Sequence, residues 1–541
     1  MPPPGAGERE PDAAPAPGRA ADGCALLEVR AVESEGRHGL PLVEFVLADA
    51  SAAVDPASVP VERAIRETRP DVTYAVSDSA GRVALRVGAA AAPLLDADRL
   101  AYHARSHGYE STAGVLSVGP GGGAVVELDP TNVARRLYRK TGQGIYRDSV
   151  QLGYEAPIRD PLLDSEVVGL DSVRAVPYGG AIYWFYGDTE RLSYPLGNFQ
   201  STGATSRPPP AGGLDPAAGI EQTYIGDGDG FVKPMVPRPP GASDSDLMWL
   251  SRVMTVPDDR GTERLVARYR RTAGVGETLG SGLVVFDDDA SQFSLLAVDW
   301  AIAYPRDGYG TRYEDPDTGA PHWFFTDPWA FARVPADFAA VQRPGAYEYF
   351  TPLEPGAAVA DGAGESVRDT PIERDADGRA VWDWKADTEP LTQARERALV
   401  DAGVLDPDDA RLQVVDVDTG EVVAMHTGTV NYNDHRERWV MIFQAAVGTE
   451  TLGGEIWYAE ADAPTGPWRR ARKVVTHDDY TFYNPNHHAF LDQAGGRYVY
   501  VEGTYTAAFS DAGAATPLYD YNQVVYRLDL DHPRLGLLLD G

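Results

Sequence analysis

Acidic and imidazole side chains recur in this chain at the ends of aromatic-rich apolar runs. Asp171 opens the run DSVRAVPYGGAIYWFYGDT and Asp188 stands at its close. His426 opens HTGTVNYNDHRERWVMIFQ and Gln444 closes it, while His487 and His488 open HHAFLDQAGGRYVYVEGTYT, which contains Glu502 and Tyr505. Carboxyls gathered at one opening supply a general acid together with a base or nucleophile, provided burial or a neighbouring charge keeps one of them protonated near neutral pH. A pair of them flanking one bond is what glycosidic cleavage requires. Trp184, Tyr186, Tyr194 and Tyr505 add aromatic faces suited to the C–H surfaces of sugars, and Asn484, Asn522 and the histidines add groups that bond hydroxyls.

Each candidate also has a purely structural role open to it. Asp188, in Gly-Asp-Thr, can satisfy backbone donors at a strand end, and Glu502 can be a buried hydrogen-bond anchor. Strand alternation sends the adjacent His487 and His488 to opposite faces, so one enters the channel and the other packs. Asn522, in DYNQ, lines a wall or forms a polar blade edge.

The elements that must position these groups repeat. Five stretches share an apolar strand, a polar turn and an aromatic-rich strand; they begin at Asp171, Ser251, Tyr313, His426 and His487. Four are followed by a second strand-turn-strand unit, among them SGLVVFDDDASQFSLLAV and GEIWYAEADAPTGPWRRARKV. Strand pairs recurring at about 60-residue spacing are the mark of propeller blades, each a four-stranded antiparallel sheet. The expected fold is therefore all-β, with a five-bladed β-propeller over residues 131–541 and an insertion near 355–412. Within the insertion, TQARERALVDAGVLDPDDARL predicts one or two short helices and PGAAVADGAGES a mobile loop. In such a ring, a residue just before the first strand of a blade and one just after the second face the same mouth. Asp171, Asp188, His426, Gln444, His487 and Glu502 are expected there.

The phrases GEIWYAEADAPTGPWRRARKV and NPNHHAFLDQAGGRYVYVEGTY resemble late blades of the five-bladed arabinanase, xylosidase and levanase-type glycosidases, and YWFYGDTERLSYPLGNF is similar to the bacterial endo-D-arabinanase-like group. The resemblance implies an Asp opening the first blade as base or nucleophile, a second Asp that orients it, and a Glu that donates the proton. Asp171 matches the first position and Asp188 takes the orienting role. The middle blades show no acid at the matching places, so Glu502 stands in as donor. Tyr194, His426, Asn484, His487, His488, Tyr505 and Asn522 would contact substrate. An oligo- or polysaccharide is the expected partner of a monomer, with no cofactor or catalytic metal, and a structural calcium or other ion in the channel stays open. The alternative is a non-catalytic glycan-binding or protein-interaction propeller.

From Ala25 to Pro130 short, partly alternating runs predict a small β-sandwich, here taken as residues 23–130, with a hairpin turning at Ser79 to Gly81. GLPLVEFVL and TYAVSDSAGRVAL resemble transthyretin-like or carboxypeptidase-regulatory-like modules. Residues 1–22 are too rich in Pro, Ala, Gly and charge to bury a core and read as a disordered tail without a secretory signal; cytoplasmic residence is the default, and a different start or an unusual route leaves export open. With 81 Asp and Glu against 48 Lys and Arg, the formal charge is -33, which disfavours nucleic-acid phosphates and anionic membranes as partners. Cys24 is the single cysteine, so neither an intrachain disulfide nor a Cys-rich zinc site can form.

Overall fold

The computed structural model describes residues 25–538 apart from 52–53, 68–70, 88–98, 118–122, 193–199, 229, 275, 316–317, 360–365 and 448–452. The tail expected at 1–22 and half of the loop expected before the insertion helices lie outside the described residues. The protein is nearly all β and divides into two compact units. No described helix is long and apolar enough to cross a membrane.

The first unit comprises Met1–Asp129 and Gly144–Leu162. One of its sheets aligns Arg82–Val87, Ala25–Glu33 and Ala124–Leu128; the other aligns Thr73–Val76, Glu44–Asp49, Arg99–Arg105 and Thr112–Ser117. Alternating residues of both, including Val29, Leu85 and Val126 from one and Phe45, Leu47 and Ala104 from the other, bury a common core. The hairpin expected at Ser79 to Gly81 is corrected. Gly81 N–H does close a turn on the Asp78 carbonyl, but the strands on either side enter different sheets.

The second unit comprises Pro130–Gln143 and Leu163–Gly541 and carries, among the described residues, one two-stranded sheet and five sheets of four or five strands, antiparallel except where Val415–Asp416 joins Arg470–Thr476 in parallel. Their leading strands are Arg174–Tyr178, Asp246–Pro257, Tyr309–Glu314, Met425–Asn433 and Thr481–His487. Each touches the next. The fifth returns to the first through Asn484 Nδ2–H on Ser172 Oγ at 2.6 Å and Asn486 Nδ2–H on the Val173 carbonyl at 3.2 Å. The last sheet takes its outer strand from far back in the chain, since Arg135–Arg139 pairs antiparallel with Asn522–Asp529. Aromatic and aliphatic side chains between sheets, among them Phe325, Trp329 and Phe443, form the large core. The insertion has a small core of its own around Leu353, Leu391 and Leu399, and its helix is Gln393–Asp401, capped by Thr392.

Three of the five leading strands share a local irregularity. Register shifts fall between Ser251 and Met254, Met425 and Gly428, and Tyr483 and Asn486. Arg252 (φ 49°), Asn484 (φ 53°) and Ser172 (φ 50°), at corresponding places, adopt the left-handed backbone that L residues rarely hold. Such bulges re-aim side chains, and these stand around one end of the axis.

Candidate functional site

At that end Asp171 and Asp188 meet. The backbone ties them first: Asp171 N–H donates to the Asp188 carbonyl at 3.1 Å and Gly187 N–H to the Asp171 carbonyl at 2.9 Å. The Asp171 carboxylate then accepts Asp188 N–H on Oδ1 at 2.7 Å and the Tyr483 hydroxyl on Oδ2 at 2.7 Å. The Tyr521 hydroxyl reaches Asp188 Oδ2 at 3.3 Å. Glycine at 187 leaves the Asp171 carboxylate its place, because a Cβ there would lie 2.1 Å from Asp171 Oδ1. Both carboxyls are half-buried. Burial pushes Asp171 up to about 6; the Tyr483 hydroxyl opposes this and the negative charge of Asp188 adds to it. Burial and the Asp171 charge drive Tyr483 and Tyr521 well above the usual phenol range, so both remain donors.

The third sheet contributes a second pair of acids, both at the open end of its first hairpin. Asp307 precedes the strand Tyr309–Glu314, and Asp327 follows Pro321–Thr326. Asp307 takes Arg268 Nη1–H on Oδ1 at 2.9 Å and lies 3.5 Å from Arg270 Nε. Burial favours its neutral form, but Arg268, Arg174 and Arg270 outweigh that and hold it below the usual carboxylate range. Asp327 moves the other way, raised by burial against the opposing charges of Arg306 and His426.

Tyr309 forms a floor between the sheets. Its hydroxyl donates to the Asn484 carbonyl at 3.1 Å, and the Arg174 guanidinium sits 5.5 Å from its ring centre. Farther along the leading strands, the axis holds a cavity of about 320 Å³ lined in part by Thr255, Thr429, Asn431 and His487.

The remaining sequence candidates fall in several places. Asn484 belongs to the mouth through Ser172, and His426 is exposed beside Asp327. The expectation that His487 and His488 open a strand is corrected: the leading strand of the fifth sheet is Thr481–His487, so His487 ends it and His488 follows. His487 Nε2 bonds Asp492 at 3.0 Å along the axial cavity. His488 packs edge-on against Trp184 and bonds Glu502 at 2.8 Å. Glu502 is fully buried in mid-strand, between the first and fifth sheets, and forms an ion pair with Lys140, whose ammonium rests 3.9 Å from the Trp184 ring centre. Burial alone would raise its pKa, yet Lys140 and His488 bring it below the usual value. A carboxylate held ionised and away from solvent does not donate a proton to a substrate, so the expected general-acid role of Glu502 is corrected. Tyr505 is buried, stacked on Tyr480 at 4.5 Å, and is likewise corrected from substrate contact to packing. Asn522 spends its amide on the carbonyls of Val168, Leu518 and Asp520 and accepts from Thr141, a full complement that leaves it structural. Tyr194 lies outside the described residues.

Sequence reasoning missed Tyr483, Tyr521, Asp307 and Asp327. The last two obey the rule that residues flanking a blade's first strand pair face the mouth; the pair had been started too late, at Tyr313 instead of Tyr309. Among the described residues no group of three or more His, Cys, Asp or Glu is arranged to hold a metal ion.

No family model matches the sequence, and no curated protein does. Solved structures do match. The GH43_1 enzyme from Xanthomonas citri, complexed with xylotriose, is 13% identical with a TM-score of 0.34, over 68% of this chain and 88% of that one. A GH43 β-xylosidase/α-arabinofuranosidase from a compost microbial metagenome is 12% identical with a TM-score of 0.34, over 68% and 92%. An exo-β-1,3-galactanase from Phanerochaete chrysosporium, with β-1,3-galactotriose, is 8% identical with a TM-score of 0.35, over 73% and 65%.

Proposed function

We propose that the second unit is a five-bladed β-propeller, joined to a β-sandwich, and that its mouth hydrolyses a glycosidic bond in an oligo- or polysaccharide. One observation carries this reading: Asp171, with a pKa raised to about 6, sits beside the second carboxyl of Asp188 in a half-buried opening. Two neighbouring carboxyls in unlike environments divide the work of acid and base. Asp171 keeps its proton into the near-neutral range and gives it to the departing glycosidic oxygen. Asp188, with Tyr521 donating to it, acts on the sugar carbon, directly or through water. Asn484 and His426, at the rim, contact hydroxyls.

The roles differ from those expected of the family, since Asp171 becomes the donor once Glu502 is removed from the mouth. Singly replacing Asp171 or Asp188 by Asn tests the assignment on reducing-end release from a panel of glycans. Each variant should lose about 10²–10⁴-fold in turnover, the usual contribution of a positioned acid or base, with an unchanged circular dichroism spectrum. Retained turnover in both would exclude it.

A further inference from the structure

Arginines crowd around Asp307 and Asp327. Arg268 and Arg270 come from the strand Glu263–Ala273, Arg252 from the strand before it, Arg306 from the loop ahead of Tyr309, and Arg174 from the first sheet. Among the described residues, Asp307 and Asp327 are the carboxylates that pair with this group, and Asp327 is pushed toward its neutral form. The guanidiniums also press on one another: burial lowers Arg252 and Arg268, and the charge of Arg268 lowers Arg252 further. Much of their donor capacity goes to carbonyls, as when Arg252 Nε and Nη2 both donate to the Arg306 carbonyl at 3.1 and 2.8 Å. Even so, Arg174 Nε, Arg252 Nη1, Arg268 Nε and Arg306 Nη1 have no hydrogen-bond acceptor, although Arg252 is 1% and Arg268 3% exposed.

Two carboxylates serve five guanidiniums, and the Phe325, Phe331 and Tyr347 rings against which Arg252 and Arg306 lie carry no full charge. Buried positive charge in such excess is costly, and a chain with a net charge of -33 had acids to spare for it. Guanidiniums match planar or tetrahedral oxyanions, which accept two hydrogen bonds at once; sugar hydroxyls accept hydrogen bonds but cancel no charge. We infer that the arginine wall around Asp307 is an anion subsite, and that the glycan taken at the mouth carries an acidic substituent, a carboxylate or a sulfate or phosphate ester, beside the bond to be cut. The inference rests on the glycosidase reading of the same mouth. The negative molecular surface narrows it further, because a dense polyanion would be repelled before docking. The substrate class is a largely neutral glycan with sparse acidic residues.

Calorimetric titration of the full chain at low ionic strength tests this with D-galacturonate, inorganic sulfate and inorganic phosphate against D-galactose. At least one oxyanion should bind about 10–100-fold more tightly than the neutral sugar, the range expected for hydrogen bonds to charged groups. Galacturonate alone binding points to a uronic acid; sulfate or phosphate binding points to an ester. Arg270→Gln, at a partly exposed arginine, should remove most of that preference, and its thermal midpoint reports whether it folds. The wild-type comparison decides without the variant: equal affinity for galacturonate and galactose, with no binding of sulfate or phosphate, overturns the subsite. If Asp171→Asn then still abolishes cleavage of neutral glycans, the hydrolase stands without it. If an oxyanion binds but the wild type releases no reducing ends from any glycan, the subsite stands and the hydrolase falls; if Asp171→Asn leaves turnover intact, only the role of Asp171 falls.

Discussion

Asp171 makes demands that can be measured separately. As the proton donor of the free enzyme, it should cause kcat/KM to fall as pH rises above about 6. A base in its place would give the opposite limb, so the profile discriminates between the two roles. The same carboxyl also affects stability. Its folded pKa lies above the unfolded value of about 3.9, so the native state binds the proton more strongly. Stability from this group is present below pH 4 and is lost as pH rises through about 6. Asp171→Asn removes the charged form, and its thermal midpoint should exceed that of the wild type at pH 8 but not at pH 4. Loss of turnover with a gain in midpoint is the signature of a group strained for function.

At the scale of elements, the tie between Asp171 and Asp188 depends on Gly187. Gly187→Ala should displace the Asp171 carboxylate and lower kcat/KM about 10²-fold, the cost of misplacing a reacting group by about 1 Å, while circular dichroism stays native. Much of this geometry was legible in the sequence: the runs on either side of Tyr-Gly-Gly form the expected pair Arg174–Tyr178 and Ala181–Phe185 and carry Asp171 and Asp188 at one end. The third and fifth leading strands were harder to see, for physical reasons. Gly308 and Gly310 make RDGYGTRY read as loop, yet a Cβ at 310 would lie 3.0 Å from the Trp323 ring, so glycine there serves close packing. Pro485 argues against a strand in TFYNPNH. It is tolerated because it lies in the bulge between Tyr483 and Asn486, where the ladder is already interrupted. Shifting that strand moved His487 to the far end and Glu502 to mid-sheet, and hid Tyr483 altogether.

For the whole molecule, the all-β character follows from the Val, Tyr, Trp and Phe runs, whereas the partner of Glu502 could not be read from any local pattern. Lys140 stands 362 residues before it (502 minus 140) and reaches it only because Arg135–Arg139 completes the last sheet. Lys140→Met should destabilise the protein by about 3–5 kcal/mol, measured by denaturant unfolding, since it leaves a buried carboxylate uncompensated. Adding Glu502→Gln should recover part of the loss.

That borrowed strand also dictates an order of events during synthesis. Thr141 and Asn522, hydrogen-bonded at 2.9 Å, are 381 residues apart along the chain. Until the ribosome delivers Asn522–Asp529, the early segment has no neighbour to join and the fifth sheet keeps an open edge. Contacts so remote in sequence close slowly, which exposes the nascent chain to association in the meantime. A stalled translation product ending before Asn522 should therefore be captured by chaperones and digested readily between its sheets, whereas the released chain resists both.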